Sequence, residues 1–440
     1  MVGVAAALMG LLAACMAGAP ASTEVEAEGK ETVEGGQTAA LVIQLDPARL
    51  LVREVAFTEP ISGLVALQRS GLEIETADFA WGTAVCRIED TGCPAEDCFC
   101  GGDTFWNYAT WDGASWQSYP VGPAASVISR TGAVEGWRWG EFEGPATPAP
   151  QALAAQSALE WLRAQQTITD GSYGGMGASV EALLAVAANA LDADQWQATA
   201  DAPSLLDYVL ANAAQYSRQG TAEAGKLAVA LVGAEACWPE EALTPTDHYS
   251  PTLGALASDA GPLAWGILGT LALGEPAPAE SVSYLLDLAL PEGGWEWSPG
   301  WGRDTNSTAL AIQALIAAGE PVTASAVMSG LAYLKSAQLE GGGFSYDPAA
   351  DWGNVADANS TAYVLQALAA AGMDPRGGEW RANGAGPVDF LLSVQSADGG
   401  FVWQAGQPVN LSATVQAIPA LLGRAYPLRR AVLEPCTAIN

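Results

Sequence analysis

Histidine occurs once in the 440 residues, at position 248, and basic side chains are scarce. Lys and Arg number 17 against 49 Asp and Glu, so the net charge is −32. A single imidazole with no Cys beside it excludes a histidine-rich metal centre. The charge excludes phosphate-rich partners, because a surface this acidic repels nucleic acid and anionic lipid headgroups. Long apolar runs are also missing. The one candidate, residues 2–19, is short, made of small residues and preceded by no Lys or Arg. That run reads as an export signal rather than a spanning helix.

The signal ends on Leu12-Ala13-Ala14-Cys15, which resembles the lipobox of bacterial lipoproteins. The resemblance implies an exported protein held outside the cell membrane by lipid on Cys15, with residues 1–15 as signal peptide and the lipid as its only membrane contact. An uncleaved anchor is the alternative. Once Cys15 is taken, six Cys remain: Cys86, Cys93, Cys98 and Cys100 close together, and Cys237 and Cys436 far apart. In an oxidising compartment an even count predicts disulfides, with the local connectivity open. A metal site on the four-Cys cluster is the competing reading.

Residues 16–38 are acidic and have almost nothing to bury, which is the composition of a flexible tether. Residues 39–140 carry short aromatic and β-branched runs broken by Gly, Pro and Asp, such as "FWNYATW" and "VEGWRWG". They predict a small β-rich domain. Residues 141–150, "EFEGPATPAP", read as a Pro-rich linker.

From 151 to 440 the chain is Ala/Leu-rich and repetitive. "DTNSTALAIQAL" at 304–315 returns as "DANSTAYVLQAL" at 357–368. Fainter copies extend the pattern to six pairs of helices, about 48 residues each, which lies in the range of helical repeats. The second helix of each pair is apolar nearly all round and should be buried; the first is amphipathic. A closed (α/α)6 toroid preceded by the β-rich domain is the predicted architecture, a multidomain chain whose larger part is all-α. "FLLSVQSADGGF" resembles the repeat of squalene cyclases and protein prenyltransferases.

That resemblance implies an acid cluster at an inner helix start, Asp-x-Asp-Asp. Here Asn306 and Asn359 replace the middle Asp, and Ser307 and Ser360 the last. An amide is no Brønsted acid, so no catalytic residue is expected and no cofactor is required for catalysis. Asp304 and Asp357 are expected to be exposed carboxylates of low pKa. The zinc ligands of related toroid enzymes are absent as well.

The β-rich segment is similar to the small domain of the transcobalamin and intrinsic-factor family, on "ISGLVALQRSGL", "TFWNYATWDGASWQSYPVG" and "GAVEGWRWG". "STALAIQAL" is similar to that family's inner-helix phrase. The resemblance implies a corrinoid, cobalamin-like ligand clamped between toroid mouth and β domain, a role in uptake, and a membrane permease as partner. Trp295, Trp297, Trp301, Phe344, Tyr346, Trp352 and Trp403 are expected at the mouth, with Asp304, Asn306, Gln313, Asp357, Asn359 and Gln366 as a polar path inward. Packing of the aromatics and partnering of the two Gln residues by neighbouring repeats are the structural alternatives. His248 is the only imidazole available to a cobalt, against solvation in a loop. A terpene cyclase-like enzyme and a surface scaffold or adhesion module are the competing functions.

Overall fold

The computed structural model describes residues 36–47, 49–350 and 353–436. Cys15 and the whole signal therefore lie outside the described residues, as does Trp352.

Five strands build the main sheet. They are β1 (Gln37–Gln44), β2 (Leu50–Phe57), β6 (Phe105–Trp111), β7 (Trp116–Ser118) and β8 (Ala133–Gly140), in the order β2-β1-β8-β6-β7. β1 runs parallel to β8 and antiparallel to β2. A second sheet, β3 (Ile74–Phe79), β4 (Gly82–Ile88) and β5 (Thr91–Gly92), carries the cysteine cluster. Cys86 pairs with Cys98 and Cys93 with Cys100, so disulfides fill the cluster. Alternation along the strands divides the main sheet's side chains between two cores. Leu41, Ile43 and Leu51 pack with the short helix α1 (Gly63–Gln68), while Val42, Leu50 and Val52 join the core of the helical region.

Eleven helices follow. Six form an inner ring: α3 (Met176–Ala188), α5 (Thr221–Gly233), α6 (Ala260–Ala272), α8 (Thr305–Ala317), α10 (Ala358–Ala370) and α12 (Leu411–Leu421). Each packs on the next, and α12 returns to α3. Apolar composition all round is what such a position demands. Every residue of α6 except Pro262 is buried. Outside lie α2 (Ala149–Ala164), α4 (Leu205–Ser217), α7 (Ala279–Asp287), α9 (Ser325–Ser336) and α11 (Pro387–Ser393). In α9, Leu331, Tyr333 and Leu334 are buried, as its amphipathic pattern predicts.

The expectation of six full pairs fails in one place. Where an outer helix was expected before α6, over "YSPTLGALASDAG", the chain makes turns, preceded by a 3-10 turn, Pro245–His248, that packs on α5 and α6. Proline inside "LTPTDHYSPT" removes backbone donors that a longer helix needs. The 141–150 linker is also tied down rather than free. Thr147 donates its amide to Gln44 Oε1 (2.9 Å) and accepts from Trp116 Nε1 (2.8 Å).

The repeated "NST" phrase has a structural explanation. In each of the last three repeats a Thr at the fourth helical position accepts the amide of the loop aromatic. Thr308 holds Trp295 (2.9 Å), Thr361 holds Phe344 (3.0 Å) and Thr414 holds Phe401 (2.8 Å). Those three rings are buried to 0 % exposure. The Gly pair before Trp295 is needed for this: Gly293 and Gly294 have φ of 84° and 87°, and a Cβ on Gly294 would meet Thr308 and Tyr333 within 3.0 Å.

Candidate ligand site at the mouth of the helical ring

The inner helices all start at one end of the ring and finish at the other, and the two ends differ. At the finishing end the last segment of the chain, residues 423–436, lies across the helix C-termini. Tyr426 donates its amide to Gln313 Oε1 (2.9 Å) and its ring is tilted against Trp265, with centroids 5.4 Å apart; Gln366 donates to the Arg424 carbonyl (3.2 Å). Ala431 donates to the Ala272 carbonyl (2.9 Å), and Cys436 is bonded to Cys237. The β-rich segment sits at this same end. Leu50 donates to the Leu422 carbonyl (3.0 Å), and Val52 exchanges two hydrogen bonds with the Asn189 side chain at the end of α3.

At the starting end a cavity of about 740 Å³ opens among α8, α10 and α12. Trp297, Trp301 and Trp403 stand at its rim, and Tyr346, Tyr363 and Leu310 line its wall. Asn306, Asn359, Asn410, Ser412 and Gln416 supply polar groups, and Asp304 and Asp357 lie between them. Among the described residues, no Lys or Arg lines it.

Asp304 and Asp357 are caps. Asp304 Oδ1 accepts from Ser307 N (2.8 Å) and its Oδ2 from Ser307 Oγ (2.6 Å); Asp357 does the same with Ser360, both at 2.8 Å. Both are buried, at 2 % exposure, which overturns the expectation of exposed carboxylates with low pKa. Burial pushes the Asp357 carboxyl up to about 6, against hydrogen bonds from Ser360 and Trp403 that favour its charge. Burial raises Asp304 in the same way, with Ser307 and Tyr346 opposing. The first amides of these helices are taken too. Thr305 N donates to the Tyr346 carbonyl and Ala358 N to the Trp403 carbonyl, both at 2.9 Å. The site therefore owes little to free helix-end amides and depends on side chains.

Trp301 is the most open rim residue, at 76 % exposure; Trp403 is 45 % exposed. Trp297 is set by Gly261 on α6, where a Cβ would come within 2.2 Å of the indole. Asn359 donates to Gln416 Oε1 (2.6 Å) and Ser412 Oγ (3.2 Å), joining α10 to α12. Asn306 Oδ1 has no hydrogen-bond partner.

The structure thus brings together Trp297, Trp301, Asp304, Asn306, Tyr346, Asp357, Asn359 and Trp403 from the predicted set. It leaves out four. Trp295 and Phe344 are core residues, and Gln313 and Gln366 face the terminal segment. His248 Nε2 lies 2.8 Å from the Ser217 carbonyl on an outer turn and does not line the cavity. The predicted clamp is not formed either. No residue of 39–140 lines the mouth, because that segment covers the opposite ends of the inner helices. Asn410, Ser412, Gln416 and Tyr363 were missed, although aligning the repeats would have placed Asn410 under Asp304 and Asp357. Among the described residues no group of His, Cys, Asp and Glu could hold a metal, and no helix is long and apolar enough to cross a membrane.

No protein-family model and no curated protein matches the sequence. Solved structures do align. Type II terpene cyclase MstE from Scytonema matches at 13% identity and a TM-score of 0.44, over 63% of this chain and 98% of that one. ent-Copalyl diphosphate synthase from Streptomyces platensis matches at 19% and 0.39, over 56% and 49%. Haptocorrin in complex with Cbi matches at 14% and 0.42, over 67% and 72%. At these scores the likeness decides neither fold nor function; the fold stands on the helix contacts described above.

Proposed function

We propose that this chain is a binding protein that captures a bulky, uncharged or cationic ligand at the mouth of its helical ring, with a corrinoid as the first candidate. One observation carries the reading: three tryptophans rim an open cavity whose lining offers amides, hydroxyls and carboxylates and, among the described residues, no Lys or Arg. Indole faces suit a flat apolar surface, and amides suit a polar edge. A pocket with two carboxylates and no Lys or Arg disfavours phosphates and other anions. The lipobox-like start adds location to the reading: an exported protein tethered through Cys15, passing its ligand to a membrane permease. The 39–140 segment is then a brace for the far end of the ring instead of a lid.

Titration with cobalamin and cobinamide, followed by tryptophan quenching and calorimetry, tests it. Micromolar binding is expected, weakened at least tenfold in Trp297→Ala/Trp301→Ala, since each base-sized stack is worth about 1–3 kcal/mol. Absence of corrinoid binding would refute the ligand identity, and unchanged affinity in the double variant would refute the location.

A second reading follows from Asp357, a mouth-lining carboxyl pushed up to about 6. Such a group is a candidate proton donor to an alkene, the chemistry of a terpene cyclase-like enzyme. Its cap bonds to Ser360 tie it to the helix start, and we take it as structural. Incubation with squalene or oxidosqualene should give no cyclised product; product that disappears in Asp357→Asn would reverse this choice.

A further inference from the structure

The sixth residue of every inner helix falls in one layer across the ring. The six are Glu181, Lys226, Trp265, Leu310, Tyr363 and Gln416. Contacts join this layer on its polar side. Lys226 Nζ donates to Glu181 Oε1 (2.9 Å), Gln416 Nε2 donates to Glu181 Oε2 (3.2 Å), and the ammonium lies 5.2 Å from the Trp265 ring centroid. Asn359 at the mouth bonds to Gln416, so one hydrogen-bonded path runs from the rim to Lys226.

Two facts make this more than a structural ion pair. First, the mouth cavity is lined by Leu310, Tyr363 and Gln416, half of the layer, and Gln416 reaches Lys226 through Glu181, although Lys226 itself does not line the cavity. Second, Lys226 and Glu181 keep 20% and 21% of their side-chain surface accessible. Their helix neighbours Val180, Leu184, Leu227 and Val229 are buried at 3 % exposure or less. Glu181 lines a small cavity with Trp265, Tyr363 and Gln416, on the side of the pair that faces the other inner helices. An ammonium has three N–H groups. Only Glu181 Oε1 accepts from this one among the described residues.

We infer that Lys226 is the inner anchor of the ligand site, and that it binds a neutral acceptor, an amide or ketone carbonyl, carried by the part of the ligand that enters the lumen. This deepens the binding reading above and rests on it. A carbonyl satisfies a spare N–H without competing with Glu181 for charge, whereas a carboxylate would face both Glu181 and the two mouth aspartates. The ligand is then amphipathic along its length: a flat face toward the tryptophans and a carbonyl at the depth of the sixth helical residue.

Equilibrium dialysis of the full chain against 2-naphthamide and naphthalene tests this. The two share a ring, and only the first has a carbonyl. Wild type should bind the amide at least tenfold tighter, a charge-assisted hydrogen bond being worth about that factor. In Lys226→Met/Glu181→Gln, which removes both charges together and so leaves no buried ion unpaired, the preference should fall below threefold. Glu181→Gln alone frees the ammonium and should raise the preference. Equal binding of both probes by wild type, no binding of either, or a preference unchanged in the double variant overturns the inference. Dicyanocobinamide run in parallel separates the two ideas. If it fails to bind while the amide preference holds, only the corrinoid identity falls. If it binds and neither variant changes the amide preference, only the role of Lys226 falls.

Discussion

The two ends of the helical ring are made by the same six helices and treated in opposite ways. At the C-terminal end the outward carbonyls meet protein. Residues 423–436 cross them, β2 lies against α3 and α12, and the amides of Gln313 and Gln366 are used to fasten that segment. At the N-terminal end α8, α10 and α12 carry side-chain caps, but the side chains beyond them are left facing a cavity. Orphan groups at both ends must be satisfied. Only the sealed end does so by adding whole segments of chain. That difference separates holding the ring together from meeting a ligand, and substitutions at the two ends should separate the same way.

The largest effect should come from the latch. Cys237 and Cys436 are 199 residues apart, so their bond constrains a long loop of the unfolded chain. Cys237→Ser/Cys436→Ser should lower stability by about 2–5 kcal/mol. The check is the urea midpoint with and without reductant: reductant should add little further loss from this latch, beyond whatever the two bridges at 86–100 contribute.

Next comes Asn189, buried at 1 % exposure, whose side chain serves edge strand β2 as a substitute peptide group (2.9 and 3.0 Å to Val52). Asn189→Ala strands a buried donor and a buried acceptor and should cost about 2–4 kcal/mol. Asn306→Ala is its counterpart at the mouth. Because Asn306 Oδ1 has no partner to lose, that change should move stability by no more than about 0.5 kcal/mol. Equal losses at the two positions, measured by denaturation, would erase the distinction between the ends.

Much of the ring was legible in the sequence and much of the site was not. The inner helices announce themselves because a helix buried on all sides must be apolar on all sides, and "STALAIQAL" can be nothing else. Gly-Gly-Trp and Gly-Gly-Phe marked the turns, since only Gly takes the φ required there. Two of the seven aromatics expected at the mouth belong to the core instead, for the same reason. Trp295 and Phe344 follow the turn directly and are pulled inward by Thr308 and Thr361, while Trp297 and Tyr346, two residues on, reach the mouth. Alternation along an extended loop would have sorted them. Lys226 was hidden by a different effect. Its repeat, "TAEAGKLAVALVGA", is faint, so its sixth position was never compared with Glu181 or Gln416. The place of the β-rich segment could not be read at all, because it is fixed by Leu50, Val52 and Arg53 meeting helix ends 130 to 370 residues away.

A pH-dependent effect sharpens the comparison at the mouth itself. The last repeat already uses an amide cap: Asn410 Oδ1 accepts from Ala413 N at 2.9 Å, where Asp357 Oδ1 accepts from Ser360 N at 2.8 Å. Asp357→Asn should therefore fold with its cap intact. Its pH dependence is the test. The Asp357 carboxyl titrates at about 6 in the folded chain against an ordinary 3.8, because burial penalises its charge. The folded state then holds this proton more tightly than the unfolded state. The stability it contributes is fully present below about pH 4 and is lost as pH rises through about 6. Every other group titrates equally in wild type and variant, so the difference between their stabilities isolates this one. Between pH 4 and pH 7.5 the stability of Asp357→Asn relative to wild type should rise by about 3 kcal/mol, the distance from 3.8 to about 6 converted to free energy. A gap that is constant with pH would mean the carboxylate is solvated rather than buried. A variant that loses 2 kcal/mol at pH 7.5 would mean that the charge itself, acting on the start of α10, holds the mouth in shape.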